Sequence, residues 1–134
     1  MADTVTSQTI QDGDKIAIMK FTNASDGTGE SAVKKVDVSA LSSNSLGQSC
    51  TSVTISRIYW ACVGMRVNIE FDASTNVLAM PLPADSTGDE YYDLFTGIPN
   101  NAGSGKTGDI DFTTVGHSDG DAYSIILVLT KIYE

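Results

Sequence analysis

The run GSGKT at residues 103–107 has the most obvious chemical potential in the chain. It is like the end of a phosphate-binding P-loop, in which backbone N–H groups at a helix N-terminus hold phosphate. That motif needs a glycine where this chain has Asn100, and a helix where residues 108–112 have the pattern of a strand. The sequence therefore favours a flexible Gly/Ser turn over a nucleotide site.

His117 is the only histidine, and it lies in a turn between Gly116 and Ser118. A Ser-His-Asp site needs a histidine that is oriented by a carboxylate and faces a nucleophile. The Gly-x-Ser-x-Gly pattern of a nucleophile elbow does not occur in the sequence. We therefore expect a solvated turn histidine, no catalytic residue and a protein that is not an enzyme.

The residues that could bind a metal ion do not form a recognisable site: Cys and His are few, and the Asp and Glu residues are spaced as in ordinary turns. Calcium needs roughly six to eight oxygen ligands, and the Asp/Gly spacing of the acidic loops is that of common hairpins. Two cysteines, Cys50 and Cys62, with one histidine cannot build a typical closed zinc site. We expect two buried thiols, or a disulfide if the strands bring them together, and no cofactor. The acidic turn residues are Asp12, Asp14, Asp26, Glu30, Asp85, Asp89, Glu90, Asp119 and Asp121.

Five aromatic residues could form a platform for a sugar, namely Tyr59, Trp60, Tyr91, Tyr92 and Phe95. Aromatic residues make up only 7% of the chain, and a core built from strands needs large side chains. The sequence therefore favours a role in the core or in an interface for most of them.

Composition and charge exclude several classes of partner. The chain has 134 residues with 8 basic and 17 acidic side chains, for a net charge of −9. This balance disfavours nucleic acid, because phosphate binding needs clustered Lys and Arg, and it disfavours anionic membranes. No run reaches transmembrane length, and the N-terminus lacks the pattern of a signal peptide. We therefore expect synthesis in a cytoplasm, with no nucleic-acid or membrane partner.

The elements that would position these residues are strands. Asp12-Gly13 between two Thr/Val/Ile-rich runs predicts a hairpin of strands 4–10 and 15–22. Strict alternation at 65–71 predicts one buried and one solvated face. The run 122–133 is apolar on both faces, which is typical of a central strand or an oligomer contact.

About nine short strands and no sustained helical period predict an all-β protein. We expect one antiparallel β-sandwich domain over residues 1–134, jelly-roll-like or Ig-like, with residues 1–10 as an N-terminal arm. Residues 39–49 and 84–90 have the polar composition of connections, with a short helix at 38–46 as the alternative for the first. The other predicted strands lie at 31–38, 50–63, 77–82, 91–95 and 110–115.

Seven segments carry a resemblance to a known family: MKFTN (19–23), DGTGESAV (26–33), KVDVS (35–39), NAG (101–103), GKTGDI (105–110), FTTVGH (112–117) and GDAYSI (120–125). They resemble small virion structural proteins of tailed bacteriophages. The resemblance runs from the first hairpin to the final strand, and its motifs are not chemical signatures. It implies a capsid decoration (cement) protein, β-rich and trimeric, that is made in the host cytoplasm and binds the major capsid protein on the virion surface.

This interpretation predicts that the N-terminal arm and the final strand contact neighbouring proteins. A carbohydrate- or receptor-binding module of a head fibre or tail, and a neck or tail adaptor, are the alternatives. The residues expected at the interface are Thr4, Val5, Ile10, Ile126, Val128 and Tyr133.

Overall fold

The computed structural model describes residues 3–91 and 97–133, apart from the side chain of Tyr91. These residues form nine strands and one short 3-10 turn at Val38–Ala40. The strands are β1 (Thr4–Asp12), β2 (Ile16–Asp26), β3 (Val33–Val36), β4 (Ser52–Val63), β5 (Arg66–Phe71), β6 (Val77–Leu82), β7 (Ser86–Tyr91), β8 (Ile110–Val115) and β9 (Asp119–Ile132).

The strands form two antiparallel sheets, with the orders β1-β2-β9-β4-β7 and β3-β8-β5-β6. Strand β2 pairs with β9, β3 with β8, β4 with β7 and β5 with β6. This nested pairing is one long hairpin that is rolled up so that its strands are shared between two sheets, which is the jelly roll. The predicted all-β sandwich is confirmed, and the strand order is that of the jelly roll rather than the Ig-like alternative.

The alternation along β5 places the core between the sheets. Val67, Ile69 and Phe71 are fully buried, whereas Arg66 is exposed. Across the sheet, Ile69 lies opposite Phe112, so the inward residues of neighbouring strands form continuous rows. The predicted amphipathic strand at 65–71 is therefore confirmed.

Three aromatic rings connect the two sheets. Phe112 of the four-stranded sheet lies edge-on to Phe21, with ring centroids 5.3 Å apart, and to Tyr123, at 5.8 Å. Edge-to-face pairs of this kind add about 0.5–1.5 kcal/mol each beyond the burial of area. These ring contacts consequently link β8 of one sheet to β2 and β9 of the other.

The prediction that residues 84–90 form a polar connection is wrong, because Ser86–Tyr91 forms β7. Among the described residues this strand pairs only with β4, so it is an edge strand. Thr87, Asp89 and Glu90 are exposed, and the strand lacks apolar alternation. The close packing of β7 on β4 explains the glycine at position 88, since a Cβ there would lie 2.4 Å from the Trp60 ring. The predicted strand at 91–95 lies almost wholly outside the described residues.

The first ten residues are not a free arm in the part that the structure describes. Thr4–Asp12 is the edge strand β1, paired along its length with β2, with a register shift between Thr9 and Gln11. The predicted hairpin through Asp12-Gly13 is confirmed, and Gly13 N–H donates to the carbonyl of Ile16 at 3.0 Å.

Candidate interaction face

Strand β9 is the centre of the five-stranded sheet, between β2 and β4. Ile125, Leu127 and Leu129 point into the core and are fully buried. Ile126 and Val128 alternate with them on the outer side and stay partly exposed. The prediction of a central strand is confirmed, and its role in contacts between subunits stays a prediction.

Four side chains on β2 and β9 form what we call the outer apolar face: Ile16, Ile18, Ile126 and Val128. Ile18 lies directly opposite Val128, and directly opposed residues in an antiparallel pair share one face. Ile16 is 40% exposed, and Ile18 is partly exposed. Apolar side chains grouped on the outer side of a sheet form a candidate surface for contact with another protein.

Charged residues border this face on both sides. Lys20 lies opposite Ile126, and Arg57 lies opposite Val128. Arg57 donates two hydrogen bonds to Asp89, at 2.9 and 2.7 Å. The hydrogen bond from Arg57 holds the pKa of Asp89 below its ordinary value. The Arg57 guanidinium also lies 4.6 Å from the centroid of the Tyr59 ring, which is a cation–π distance.

An open depression of about 460 Å³ lies beside the outer apolar face, towards the β7 edge. Its position follows from the register, because the small Ala61 is opposite Ser124 of β9 and Thr87 of β7. The next row of the same face has Tyr59 between Ile126 and Asp89. The residues that line the depression include Tyr59, Ala61, Thr87, Asp89, Ser124 and Ile126.

The six residues predicted at the interface do not form one patch. Ile126 and Val128 lie at the centre of the outer face, and Thr4 lies near its β1 edge. Val5 and Ile10 on β1 are 44% and 51% exposed. Tyr133 follows β9, packs against the core and donates a hydrogen bond to the carbonyl of Asp14.

The aromatic residues predicted as a platform are separated. Tyr59 is on the outer face of β4, whereas Trp60 faces the sandwich interior and donates to Ser86 Oγ at 3.0 Å. Tyr92 and Phe95 lie outside the described residues. Of the described members, Tyr59 and Trp60 both line the depression, and Tyr59 does so from the outer face.

The GSGKT run forms a turn, in which Lys106 N–H donates to the carbonyl of Gly103 at 3.1 Å. Strand β8 follows it, and the helix that a P-loop requires is not there. His117 is half-buried in the turn between β8 and β9, with Nδ1 3.1 Å from Thr114 Oγ1. Its ring packs on Gly29, where a Cβ would come within 2.3 Å.

A buried ion pair between Glu30 and Lys35 lies close to the turn that contains His117. It was not predicted from the sequence. Glu30 accepts hydrogen bonds from Tyr123 Oη at 2.6 Å and Asn23 Nδ2 at 2.8 Å, and its second oxygen lies 2.5 Å from Lys35 Nζ. The side chains of Glu30 and Lys35 are 5% and 4% exposed. Burial, followed by the bond to Glu30, raises the pKa of Tyr123.

Sequence patterns could not reveal this pair, because Lys35 lies at a register shift between Lys34 and Val36. Such an irregularity turns one extra side chain towards the interior. With every carboxylate oxygen of Glu30 bonded and the group hidden from solvent, the cluster is suited to holding strands together rather than to acid–base chemistry.

An acidic cluster on the four-stranded sheet was also not predicted. Asp111 is 3% exposed, and its Oδ2 accepts from Asn76 at 3.0 Å. Its Oδ1 has no hydrogen-bond partner among the described residues. Burial first, and then the nearby carboxyl of Asp72, raises the pKa of Asp111 to about 6. The neighbouring Asp109 is compensated by Lys34, at 2.9 Å.

Cys50 and Cys62 are separate, buried thiols, and burial raises the pKa of Cys62 to about 11. Within residues 3–91 and 97–133, no three His, Cys, Asp or Glu side chains are grouped so that they could hold a metal ion. The described residues contain no helix with the length and apolar character needed to cross a membrane.

Comparisons with known proteins identify no family. No family model and no curated protein matches the chain. Among solved structures, the chain is similar to a cupin superfamily protein from Desulfitobacterium hafniense, with 14% identity, 98% of this chain and 81% of that chain covered, and a TM-score of 0.36. A likeness at this level carries no argument about function.

Proposed function

We propose that this chain is a non-enzymatic structural protein of a phage virion, a decoration protein that binds the lattice of the major capsid protein. The observation that carries the proposal is the outer apolar face across β2 and β9, which includes the predicted contact residues Ile126 and Val128. Jelly rolls occur in viral capsid proteins, and also in lectins and cupins. The fold is thus compatible with the proposal and does not select it.

Binding to the lattice would stabilise the head by mass action. A protein that binds only the assembled shell shifts the equilibrium towards that shell, in proportion to its occupancy. Burying the partly exposed Ile18, Ile126 and Val128 would supply apolar contact at about 25 cal/mol per Å². Lys20 and Arg57 at the border would set orientation more than affinity. We expect a homotrimer on the capsid surface.

The test adds purified protein to heads that lack it and counts bound copies per head. Val128→Asp places a charge in the outer apolar face, and Ile18→Asp repeats the change on the neighbouring strand. Both should reduce affinity at least tenfold, equivalent to about 1.4 kcal/mol. The matched control is Val115→Asp, since Val115 lies on the outer side of the other sheet, opposite Arg66, and is 38% exposed.

Urea unfolding of each variant separates a lost contact from a lost fold. Folded Val128→Asp protein that occupies heads as fully as the wild type would overturn the proposal. Deleting residues 1–10 is a poor substitute, because it removes most of the paired strand β1. A neck or tail adaptor, the alternative role, would bind in a few copies per particle instead of covering the shell.

A further inference from the structure

The depression beside Tyr59 has the features of a small binding site. One side of the Tyr59 ring is covered by the Arg57 guanidinium, 4.6 Å from its centroid. Ala61 lies two residues further along β4 and contributes only a methyl group. The space on the Ala61 side of the Tyr59 ring is therefore open. The ring is therefore held from one side and available from the other.

Polar groups surround the open side of the ring. Ser124 and Thr87 are the neighbours of Ala61 on the two flanking strands. Among the described residues, neither hydroxyl has a hydrogen-bond partner in the protein. Asp89, whose side chain is 41% exposed, is fixed in place by its two hydrogen bonds from Arg57. Two free hydroxyls and one oriented carboxylate thus border one aromatic surface.

The chemistry of these groups selects among ligand classes. Anions are disfavoured, because the described residues that line the depression include no Lys or Arg and the chain carries a net charge of −9. A wholly apolar ligand is disfavoured too, since an open depression cannot enclose most of its surface. A ligand with one apolar face and several hydroxyls fits both features, because aromatic faces attract polarised C–H groups and hydroxyls pair with Ser, Thr and Asp oxygens.

We propose that this depression binds a neutral saccharide, with one pyranose ring stacked on Tyr59 and its hydroxyls bonded to Ser124, Thr87 and Asp89. The proposal goes beyond lattice binding and rests on Tyr59, Ala61, Ser124 and Thr87, which the proposed lattice contact does not use, so either can fail alone. Each site would be weak, with a Kd on the order of 0.1–10 mM, because few atoms are enclosed.

The experiment titrates the whole protein with methyl glycosides of glucose, galactose, mannose and N-acetylglucosamine, observed by NMR chemical-shift changes. At least one neutral glycoside should saturate with shifts at Tyr59, Ala61 and Ser124. A sialic acid glycoside, which is an anion, should bind more weakly than the best neutral sugar. Absence of saturable binding by the wild type to every neutral glycoside, or tighter binding of the anion, would overturn the proposal.

Three variants test the site itself. Tyr59→Phe keeps the aromatic surface and should bind within threefold of the wild type, whereas Tyr59→Leu should bind at least tenfold more weakly. Ala61→Leu fills the depression without replacing a polar group and should also cost at least tenfold. Wild-type affinity in folded Ala61→Leu protein would place the sugar elsewhere and sink the assignment. Ile18→Asp, on strand β2, from which no described residue lines the depression, should leave sugar binding unchanged.

Discussion

The outer faces of the two sheets follow the same alternation and differ in chemistry. On the five-stranded sheet the central outward positions are Ile18, Ile126 and Val128, all partly exposed. On the four-stranded sheet the corresponding central pair is Glu70 and Asp111, directly opposite each other on β5 and β8. The outward positions of one sheet thus carry partly exposed aliphatic side chains, and those of the other carry a partly exposed carboxylate at Glu70 and a buried one at Asp111.

The carboxylates of the four-stranded sheet are largely satisfied within the protein. Glu70 accepts from Thr113 Oγ1 at 3.1 Å and from Asn76 at 3.3 Å, and Asp109 pairs with Lys34. The aliphatic side chains of the other face have no such internal partner to saturate them. The difference indicates which face gains most from a contact with another molecule, because apolar area is stabilised only by further burial.

The largest expected effect is a difference in unfolding free energy between substitutions on the inner and outer sides of β9. Leu127→Ala leaves a cavity in the core and should lower the free energy of unfolding by about 2–5 kcal/mol. Val128→Ala, its neighbour on the partly exposed side, should cost about 1 kcal/mol or less. Urea unfolding measures both. Equal losses would break the comparison, because they would mean that the outer face is already buried in solution, for example by a second copy.

A smaller effect is expected from Asp111 on the opposite face. Its pKa in the folded protein is raised to about 6 from 3.8. Folding therefore favours the protonated form, and the associated stability is present below about pH 4 and is lost as the pH rises through 6. Asp111→Asn should be more stable than the wild type by about 1–2 kcal/mol at pH 7.5, after allowance for solvent screening.

Thermal unfolding from pH 3.5 to 8 measures this difference, which should nearly vanish at the acid end. Asp37→Asn is the matched control, because the hydrogen bond from Ser39 lowers the pKa of Asp37 and reverses the sign. Its stability should fall relative to the wild type at neutral pH. A pH-independent gain in Asp111→Asn would show that the residue does not titrate as described.

The smallest effect is expected at the border of the outer apolar face. The Arg57–Asp89 pair has side-chain exposures of 35% and 41%, so water and salt screen it. Arg57→Ala should shift the urea midpoint slightly at low salt and not at all at high salt. A large loss that persists at high salt would show that Arg57 acts through its packing on Tyr59.

The sequence predicted well those features that depend on local pattern. The hairpin at Asp12-Gly13, the alternation of β5 and the central position of β9 each follow from a signal within a few residues. Strand β7 was missed because an exposed edge strand has no apolar period. The pair of Glu30 and Lys35 was missed because it depends on an irregularity in β3.

In the candidate site, too, some residues could be predicted from local sequence pattern and others could not. Ile126 and Val128 were predicted from the apolar run at residues 122–133, because a strand with successive apolar residues is apolar on both faces. The depression at Ala61 could not be predicted, because an empty space depends on which residues three strands bring side by side. The cluster at Asp111 likewise requires the register of β5 against β8.

The nested pairing of the jelly roll determines when the outer apolar face can form during synthesis. The outer apolar face needs β2 and β9, and β9 is the last of the nine strands to leave the ribosome. Contacts between segments so distant along the chain form late and slowly. A nascent chain therefore cannot present this face in its final form, which would delay recognition by a partner until the domain has been made and folded.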